Sequence, residues 1–293
     1  MKNRQIGSKS FFLAVLFLVN FFLFSSFPSS SISAPNRDDI LPGIRLKKNI
    51  LETDSNTNHS ENKEGGFLEE KLFFPFDFGR RKVYCLVIDP GHGGDDYGVV
   101  CSESGILEKD LTLDLAKRLQ NLISENTAHR VLLTRTGDYA LSLIDRTTFA
   151  NHQKADLFLT LHFNAHFDVS LKEMQIYITA YSNEEIKRFS RDKMNWEASQ
   201  RRYLADSRDL ALRIEKAALN SLRFESIKLL EMPLFVLKGA HMPAVLVENA
   251  FLSNFQSSEK LNTEEYRQEL AFILYRGVIS YIQDKEKHNV WKN

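Results

Sequence analysis

The chain has little cysteine: two residues among 293, Cys85 and Cys101, and no Cys-x-x-Cys pair. Paired cysteines mark thiolate zinc sites, so the sequence argues against a zinc site with cysteine ligands. In an exported protein the two thiols can form a disulfide. Cys85 also lies in an apolar stretch, where a free cysteine acts as a small hydrophobic residue, so both redox states stay open.

The sequence also lacks a net charge, because 38 lysines and arginines balance 38 aspartates and glutamates. Proteins that bind nucleic acids or anionic membranes carry basic excess, so neither partner is predicted. The 43% hydrophobic and 26% charged residues are typical of a globular protein. The length allows one or two domains.

No apolar run reaches the about 20 residues that a membrane-spanning helix requires. The run from Phe11 to Phe24 has 14 residues, follows a basic start and precedes the mostly small residues 25–34. This order predicts a secretory signal peptide over residues 1–34. An uncleaved N-terminal anchor is the alternative; if the signal is cleaved, no stable membrane span is expected.

Composition divides the rest of the chain. Residues 35–81 are polar and without periodicity over much of their length, which predicts a flexible linker. From Lys82 strand-like and helix-like runs alternate, which predicts one α/β domain over 82–284, followed by a tail, 285–293. The predicted strands are 83–88, 130–135, 157–162, 174–179, 233–237 and 244–248. The predicted helices are about 110–124, 142–153, 206–221 and 263–284.

The candidate chemistry begins at His92, in Asp89-Pro-Gly-His-Gly-Gly94. An apolar run precedes this segment, so His92 is predicted to follow a strand at the sheet edge where α/β proteins build their sites. Glycines let backbone approach a ligand closely. A catalytic zinc takes three ligands of the His/Glu type, and a further carboxylate serves as base.

Three more residues complete such a set. Glu108 begins the first predicted helix, where a carboxylate also suits the helix dipole. His162 ends an apolar strand and could instead be a core histidine. Glu248 closes an apolar strand, and because burying an unpaired charge is costly it should face a partner or a cleft. An ion pair is its structural alternative. His166 is a competitor for His162, whereas three other histidines are predicted to be structural: His129, His152 and His241.

With these residues in view, the chain resembles the zinc-dependent N-acetylmuramoyl-L-alanine amidases of bacterial cell walls. Four blocks over about Lys82 to Asp284 carry the resemblance: 88–94, 108–110, 161–165 and 243–254. It implies one Zn²⁺ bound by His92, Glu108 and His162, with Glu248 as the catalytic carboxylate. It also implies a three-layer fold: a roughly six-stranded, mostly parallel or mixed sheet with helices on both faces.

The resemblance implies hydrolysis of the amide between N-acetylmuramic acid and the L-alanine of the peptidoglycan stem peptide. That reaction serves wall remodelling or daughter-cell separation, in the periplasm or cell envelope. Two alternatives remain: a catalytically silent peptidoglycan-binding protein on the same scaffold, and a zinc hydrolase of another wall bond.

Some positions depart from the family pattern. Tyr97, Val99 and Phe163 are bulkier than usual, and Ala250 stands where glycine is common, which predicts an altered fit of substrate. The segment 183–209 carries 13 charged residues in 27 positions. It is predicted to be a solvated helical excursion or, alternatively, a segment that restrains access until an activator protein binds, with Glu184 or Glu185 as plugs.

Overall fold

The structure, a computed structural model, describes residues 82–101, 104–182, 184–185, 196–221, 224 and 226–290. The predicted signal segment, 1–34, and the predicted linker, 35–81, therefore lie outside the described residues. No helix within the described ranges is long and apolar enough to cross a membrane.

Six strands in the described part form one sheet. They are β1 Cys85–Pro90, β2 Arg130–Leu133, β3 Leu157–Asn164, β4 Met174–Thr179, β5 Ile227–Met232 and β6 Ala244–Phe251. Their order across the sheet is β2-β1-β3-β6-β4-β5. Neighbouring strands are parallel except for β4, which runs antiparallel to β6 and parallel to β5. The predicted mixed, mostly parallel sheet is thus confirmed.

Helices pack on both faces of the sheet, as predicted. The described helices are α1 Glu108–Asn126, α2 Leu143–His152, α3 Leu204–Leu219, α4 Phe235–Lys238, α5 Phe255–Leu261 and α6 Glu264–Val290, with a 3-10 helix at Trp196–Tyr203. Side chains of α1, α3 and α6 join one apolar cluster, and those of α2 and α4 join a second cluster on the other face.

The central strands are continuous apolar runs because helices cover both their faces. Four of the six strand predictions have nearly correct positions, but β1 lies two residues further on, so Asp89 and Pro90 belong to the strand. The predicted strand 233–237 is wrong, because Phe235–Lys238 forms helix α4. Its short apolar run fits either element, whereas the true strand, Ile227–Met232, is a half-exposed edge strand broken by Lys228 and Glu231.

The direction of β4 decides where the charged segment begins. Gln175 pairs with Glu248 and Tyr177 with Leu246, so β4 ends beside the start of β6. Because β3 and β6 run the other way, Thr179 lies at the edge of the sheet opposite to His162. The segment after β4 therefore leaves the sheet on the side away from the candidate site.

Candidate metal centre

Three side chains from separate parts of the chain bring one donor atom each to a common point. His92 Nε2 lies 3.0 Å from Glu108 Oε1, and His162 Nδ1 lies 3.2 Å from both of them. Ligands about 2.0–2.1 Å from a tetrahedral zinc are separated by about 3.3 Å. The triangle therefore has the size and the donor types that a zinc ion requires, and these residues form a metal-capable cluster.

Glycines make room for the triangle. A Cβ at Gly91 would lie 2.3 Å from His162 Cε1, and one at Gly98 would lie 2.5 Å from Glu108 Oε2. Gly98 also has φ +63°, and His92 itself adopts φ 61°. A non-glycine residue in this left-handed region stores backbone strain, which is common at functional sites.

Backbone donors fix the Glu108 carboxylate. Val99 N donates to Oε2 at 2.8 Å, and Phe163 N donates to Oε1 at 2.9 Å. Glu108 begins α1 and is buried, so the helix start, the loop after β1 and strand β3 meet at this one side chain. These contacts place the Glu108 carboxylate in the triangle, so Glu108 does more than stabilise the start of the helix.

Asp96 contacts the His92 ring at Nδ1, the nitrogen that does not belong to the triangle. Its Oδ1 lies 2.9 Å from His92 Nδ1 and accepts a hydrogen bond from Gly98 N at 3.1 Å. A carboxylate on the far nitrogen fixes the ring orientation and leaves Nε2 for a metal. Sequence reasoning missed Asp96, although its place four residues after His92 in the same loop was a usable signal.

Two buried arginines hold the loop that carries His92. Arg135 donates to the carbonyls of Pro90 at 3.0 Å and Gly91 at 2.8 Å. Arg146 donates to the carbonyl of His92 at 3.0 Å and pairs with Asp89 at 2.9 Å. Bidentate guanidinium groups suit such carbonyl clusters. Nothing in the local sequence pattern identified these residues, because their contacts span more than 40 positions.

Glu248 lies beside the cluster on strand β6, in register with His162 on β3. Neighbouring residues of a parallel pair point to the same face of the sheet. Its Oε2 is buried and has no hydrogen-bond partner within the described residues. The predicted alternative, a structural ion pair, is therefore not formed in this part of the chain. Glu248 also lies within β6, which continues to Phe251, and does not close the strand as predicted.

The protonation preferences follow from these surroundings. Burial opposes the charge on His92, but the Glu108 carboxylate and the bond to Asp96 outweigh it and raise the pKa of His92 to about 10. Burial likewise opposes ionisation of Glu108, but the histidines lower its pKa. Burial lowers the pKa of His162. Burial, reinforced by the negative Glu108, raises the pKa of Glu248 well above its usual value.

The other histidines lie outside the triangle. His166 is on the loop after β3, where its Nδ1 accepts a hydrogen bond from Asp168 N at 3.0 Å. His129 lies edge-on to Tyr84, with ring centroids 5.5 Å apart. His152 and His241 are exposed. Of the described histidines, the structure brings together only the two that the sequence selected.

The residues that depart from the family pattern face different ways. Phe163 is 1% exposed and belongs to the apolar core, so its bulk fills the core and does not line the candidate site. Ala250 is also buried. Tyr97 is 49% exposed, and Lys109 Nζ lies 4.6 Å from its ring centroid. Of these residues, Tyr97 remains at the surface where it can contact a ligand.

The described parts of segment 183–209 lie away from the triangle. Glu185 pairs with Lys238 of α4 and accepts a hydrogen bond from Ser182 N. Gln200 donates to the carbonyl of Met242 at 2.6 Å, just before β6 begins. The structure thus places Glu185 at an ion pair, not at the cluster, and Glu184 is exposed.

Cys85 and Cys101 are both buried and are not joined in a disulfide. Cys85 Sγ lies 3.0 Å from Arg130 Nη2. Of the two open redox states, the structure has the reduced one, and neither thiol belongs to the metal-capable cluster.

Comparison with known proteins places the whole domain in one group. Residues 86–280 match the sequence profile described as N-acetylmuramoyl-L-alanine amidase. The amidase AmiC of Escherichia coli O6:H1 is 30% identical over 236 residues, which are 72% of this chain and 55% of that protein. The amidase CwlM of Bacillus licheniformis is 36% identical over 187 residues, 64% of each chain.

A solved structure supports the same assignment. The crystal structure of an N-acetylmuramoyl-L-alanine amidase from Clostridium difficile 630 superposes with a TM-score of 0.56 at 29% identity, covering 69% of this chain and 98% of that one. This chain spans about half the length of the first two curated relatives, 55% and 52%.

Proposed function

This chain belongs to the N-acetylmuramoyl-L-alanine amidase family, and we propose that it hydrolyses the amide bond between N-acetylmuramic acid and the L-alanine of the peptidoglycan stem peptide. The observation that carries the proposal is the triangle of His92, Glu108 and His162 beside a carboxylate, Glu248, whose Oε2 has no partner in the described structure. A zinc hydrolase needs both parts: a site for the metal and a carboxylate that is free to accept a proton.

The residues present fit zinc, and we propose that His92 Nε2, Glu108 Oε1 and His162 Nδ1 hold one ion. When bound, zinc acts as a Lewis acid that polarises a carbonyl and makes water nucleophilic at neutral pH. Metal binding would release the proton that the carboxylates favour on His92, since a ligating imidazole is neutral on the bound nitrogen. Asp96 and the two backbone donors to Glu108 keep the ligands oriented.

Glu248 is proposed as the general base and acid. Burial raises the pKa of Glu248, which makes its carboxylate a stronger base than an exposed one. The carboxylate takes a proton from the attacking water as the carbon–oxygen bond forms. It then returns that proton to the alanine nitrogen as the carbon–nitrogen bond breaks, so the peptide leaves as a neutral amine.

Cellular context is also part of the proposal. A cell-wall amidase acts outside the cytoplasm, which agrees with residues 1–34 as a signal peptide and 35–81 as a linker to the domain 82–284. We propose action in the periplasm or cell envelope during wall remodelling or cell separation, with peptidoglycan as the partner and an activator protein as regulator. N-terminal sequencing of the exported protein tests whether the signal is removed.

Mass spectrometry of fragments released from purified peptidoglycan tests the activity. The expected products are free stem peptides that begin with an unmodified alanine amine, and chelator treatment followed by added zinc should abolish and restore their release. Fragments cut at another bond would indicate a different wall hydrolase. Binding to the wall without any release would identify a silent binding protein.

A further inference from the structure

A row of polar side chains extends from the metal-capable cluster across four strands. His162 on β3 is in register with Glu248 on β6, Glu248 with Gln175 on β4, and Gln175 with Lys228 on β5. Residues in register share a face, and neighbouring strands lie about 4.8 Å apart. The backbone of Gln175 is therefore about 5 Å from the backbone of Glu248 and about 10 Å from the backbone of His162.

A hydrogen-bond network fixes the Gln175 amide. Its Oε1 accepts from Asn164 Nδ2 at 3.0 Å and from Tyr177 OH at 2.5 Å. Its Nε2 donates to Glu173 Oε1. An amide offers two acceptor positions and two N–H donors. The oxygen is thus fully used, and one N–H remains beyond the contacts made within the described structure.

The anchors of this network are themselves held. Glu173 is 5% exposed and is paired with Lys228 at 2.7 Å and Ser226 at 3.2 Å. A flip of the Gln175 amide would set its N–H groups against the Asn164 N–H donor and its oxygen against the Glu173 carboxylate, so these two contacts hold its orientation. A buried network whose anchors are satisfied specifies one orientation. The remaining donor is therefore fixed before any ligand arrives.

The two flanks of the cluster differ in chemistry. On the side of β1 and β2, the loops expose the rings of Tyr97 and Tyr139, which are 49% and 44% exposed. On the side of β6, β4 and β5, the polar groups are the amide of Gln175, the hydroxyl of Tyr177 and the ammonium of Lys228. Aromatic faces suit the apolar surface of a sugar ring, whereas a fixed amide suits a peptide main chain.

We infer that Gln175 is a substrate-binding residue whose remaining N–H donates to a main-chain carbonyl of the stem peptide, so that the peptide runs from the cluster across β6 onto β4. This inference rests on the proposed function. An extended peptide advances about 3.3 Å per residue, so a span of about 10 Å places that carbonyl beyond the alanine. Gln175 then determines the minimum length of peptide that the site recognises well.

Two synthetic probes test the inference: N-acetylmuramoyl-L-alanine and N-acetylmuramic acid bearing a three-residue stem. Gln175→Met keeps the side-chain volume and removes the donor. Loss of one hydrogen bond lowers kcat/KM about tenfold, and this loss is expected only for the longer probe. An equal effect on both probes, or none on the longer one, overturns the inference.

Matched variants separate binding from folding. Gln120 lies on α1, where Nε2 donates to the Val131 carbonyl at 3.1 Å, so Gln120→Met should change neither probe. Tyr177→Phe leaves the core packed but frees the Gln175 amide, and it should give a smaller loss on the longer probe. Zinc content and the thermal midpoint of each variant identify any general damage.

A binding measurement separates this inference from the proposed function. The longer probe is titrated calorimetrically into the Glu248→Gln protein, with and without Gln175→Met. A roughly tenfold rise in Kd supports the peptide path even where no amide hydrolysis is found, in which case the proposed function alone fails. An unchanged Kd, or no binding by either protein, overturns the peptide path.

Discussion

Glu108 and Glu248 carry the same side chain at the same edge of the sheet, but their surroundings are opposite. Glu108 accepts hydrogen bonds from two backbone N–H groups and touches both histidines. Glu248 has a buried oxygen without a partner in the described structure. The pKa of Glu108 is accordingly lowered, and that of Glu248 is raised.

The comparison agrees with the two roles proposed for these glutamates, metal ligand and proton carrier. A carboxylate that backbone donors hold in place is fixed in its ionised form, as a metal ligand must be. A carboxylate without such donors can gain and lose a proton during a reaction. The surroundings of each carboxylate, and not its chemical type, thus set what it can do.

The largest effect is expected from Glu248→Gln. The change keeps shape and zinc binding but removes the proton carrier, so turnover on purified peptidoglycan should fall about 10²- to 10⁴-fold. Elemental analysis should still find one zinc per chain. The exposed Glu125→Gln is the control and should keep full turnover. Wild-type turnover by Glu248→Gln would remove Glu248 from the mechanism.

The same substitution at Glu108 should weaken zinc binding, whereas Glu248→Gln should leave zinc binding intact. In Glu108→Gln the new amide cannot supply the ligand charge, and its nitrogen would face the donors Val99 N or Phe163 N. Zinc affinity should weaken at least as much as the about 10- to 100-fold typical of outer partners of metal ligands. Competition with a chelating dye measures it. Zinc affinity equal to wild type would mean that Glu108 is not a ligand.

Asp96→Asn tests the support behind His92 and should have a smaller effect. Asparagine keeps an acceptor for His92 Nδ1 but loses the charge, so zinc affinity should fall about tenfold. Asp95 is the adjacent, exposed residue, and Asp95→Asn is the matched control. If both variants bind zinc alike, the bond between Asp96 and His92 does not tune the site.

The smallest effect is expected at a third carboxylate, Glu185. Its pair with Lys238 is partly exposed, with side chains 22% and 10% accessible. Glu185→Gln should lower the free energy of unfolding by at most about 1 kcal/mol and leave turnover unchanged. Chemical denaturation and the peptidoglycan assay measure these quantities. A rise in basal turnover would instead support the role of a plug.

The sequence predicted which residues meet at this edge of the sheet better than it predicted the residues that hold them in place. His92, Glu108, His162 and Glu248 could be found because each stands at or near the end of an apolar run or helix, and such ends meet at one edge of an α/β sheet. Arg135 and Arg146 could not, because their hydrogen bonds cross from one element to another and leave no periodic signal in the chain.

The sequence reading also missed which face of the sheet a bulky side chain occupies. Phe163 follows His162 directly, and alternation along a strand sends successive side chains to opposite faces. The family pattern drew attention to the bulk of Phe163, but the pleat of the strand directs its side chain into the core. The short run 233–237 failed for a related reason: apolar character alone does not separate a buried helical turn from a strand.

The position of β6 has a consequence for folding. This strand lies between β3 and β4, yet it is the last of the six in the chain. The strands made earlier cannot join into one sheet until residues 244–251 enter the gap between them. Contacts of such long sequence separation form slowly. Because Glu248 lies on this same strand, the proposed base joins the cluster only as the sheet closes, and a partly folded chain lacks the complete candidate site.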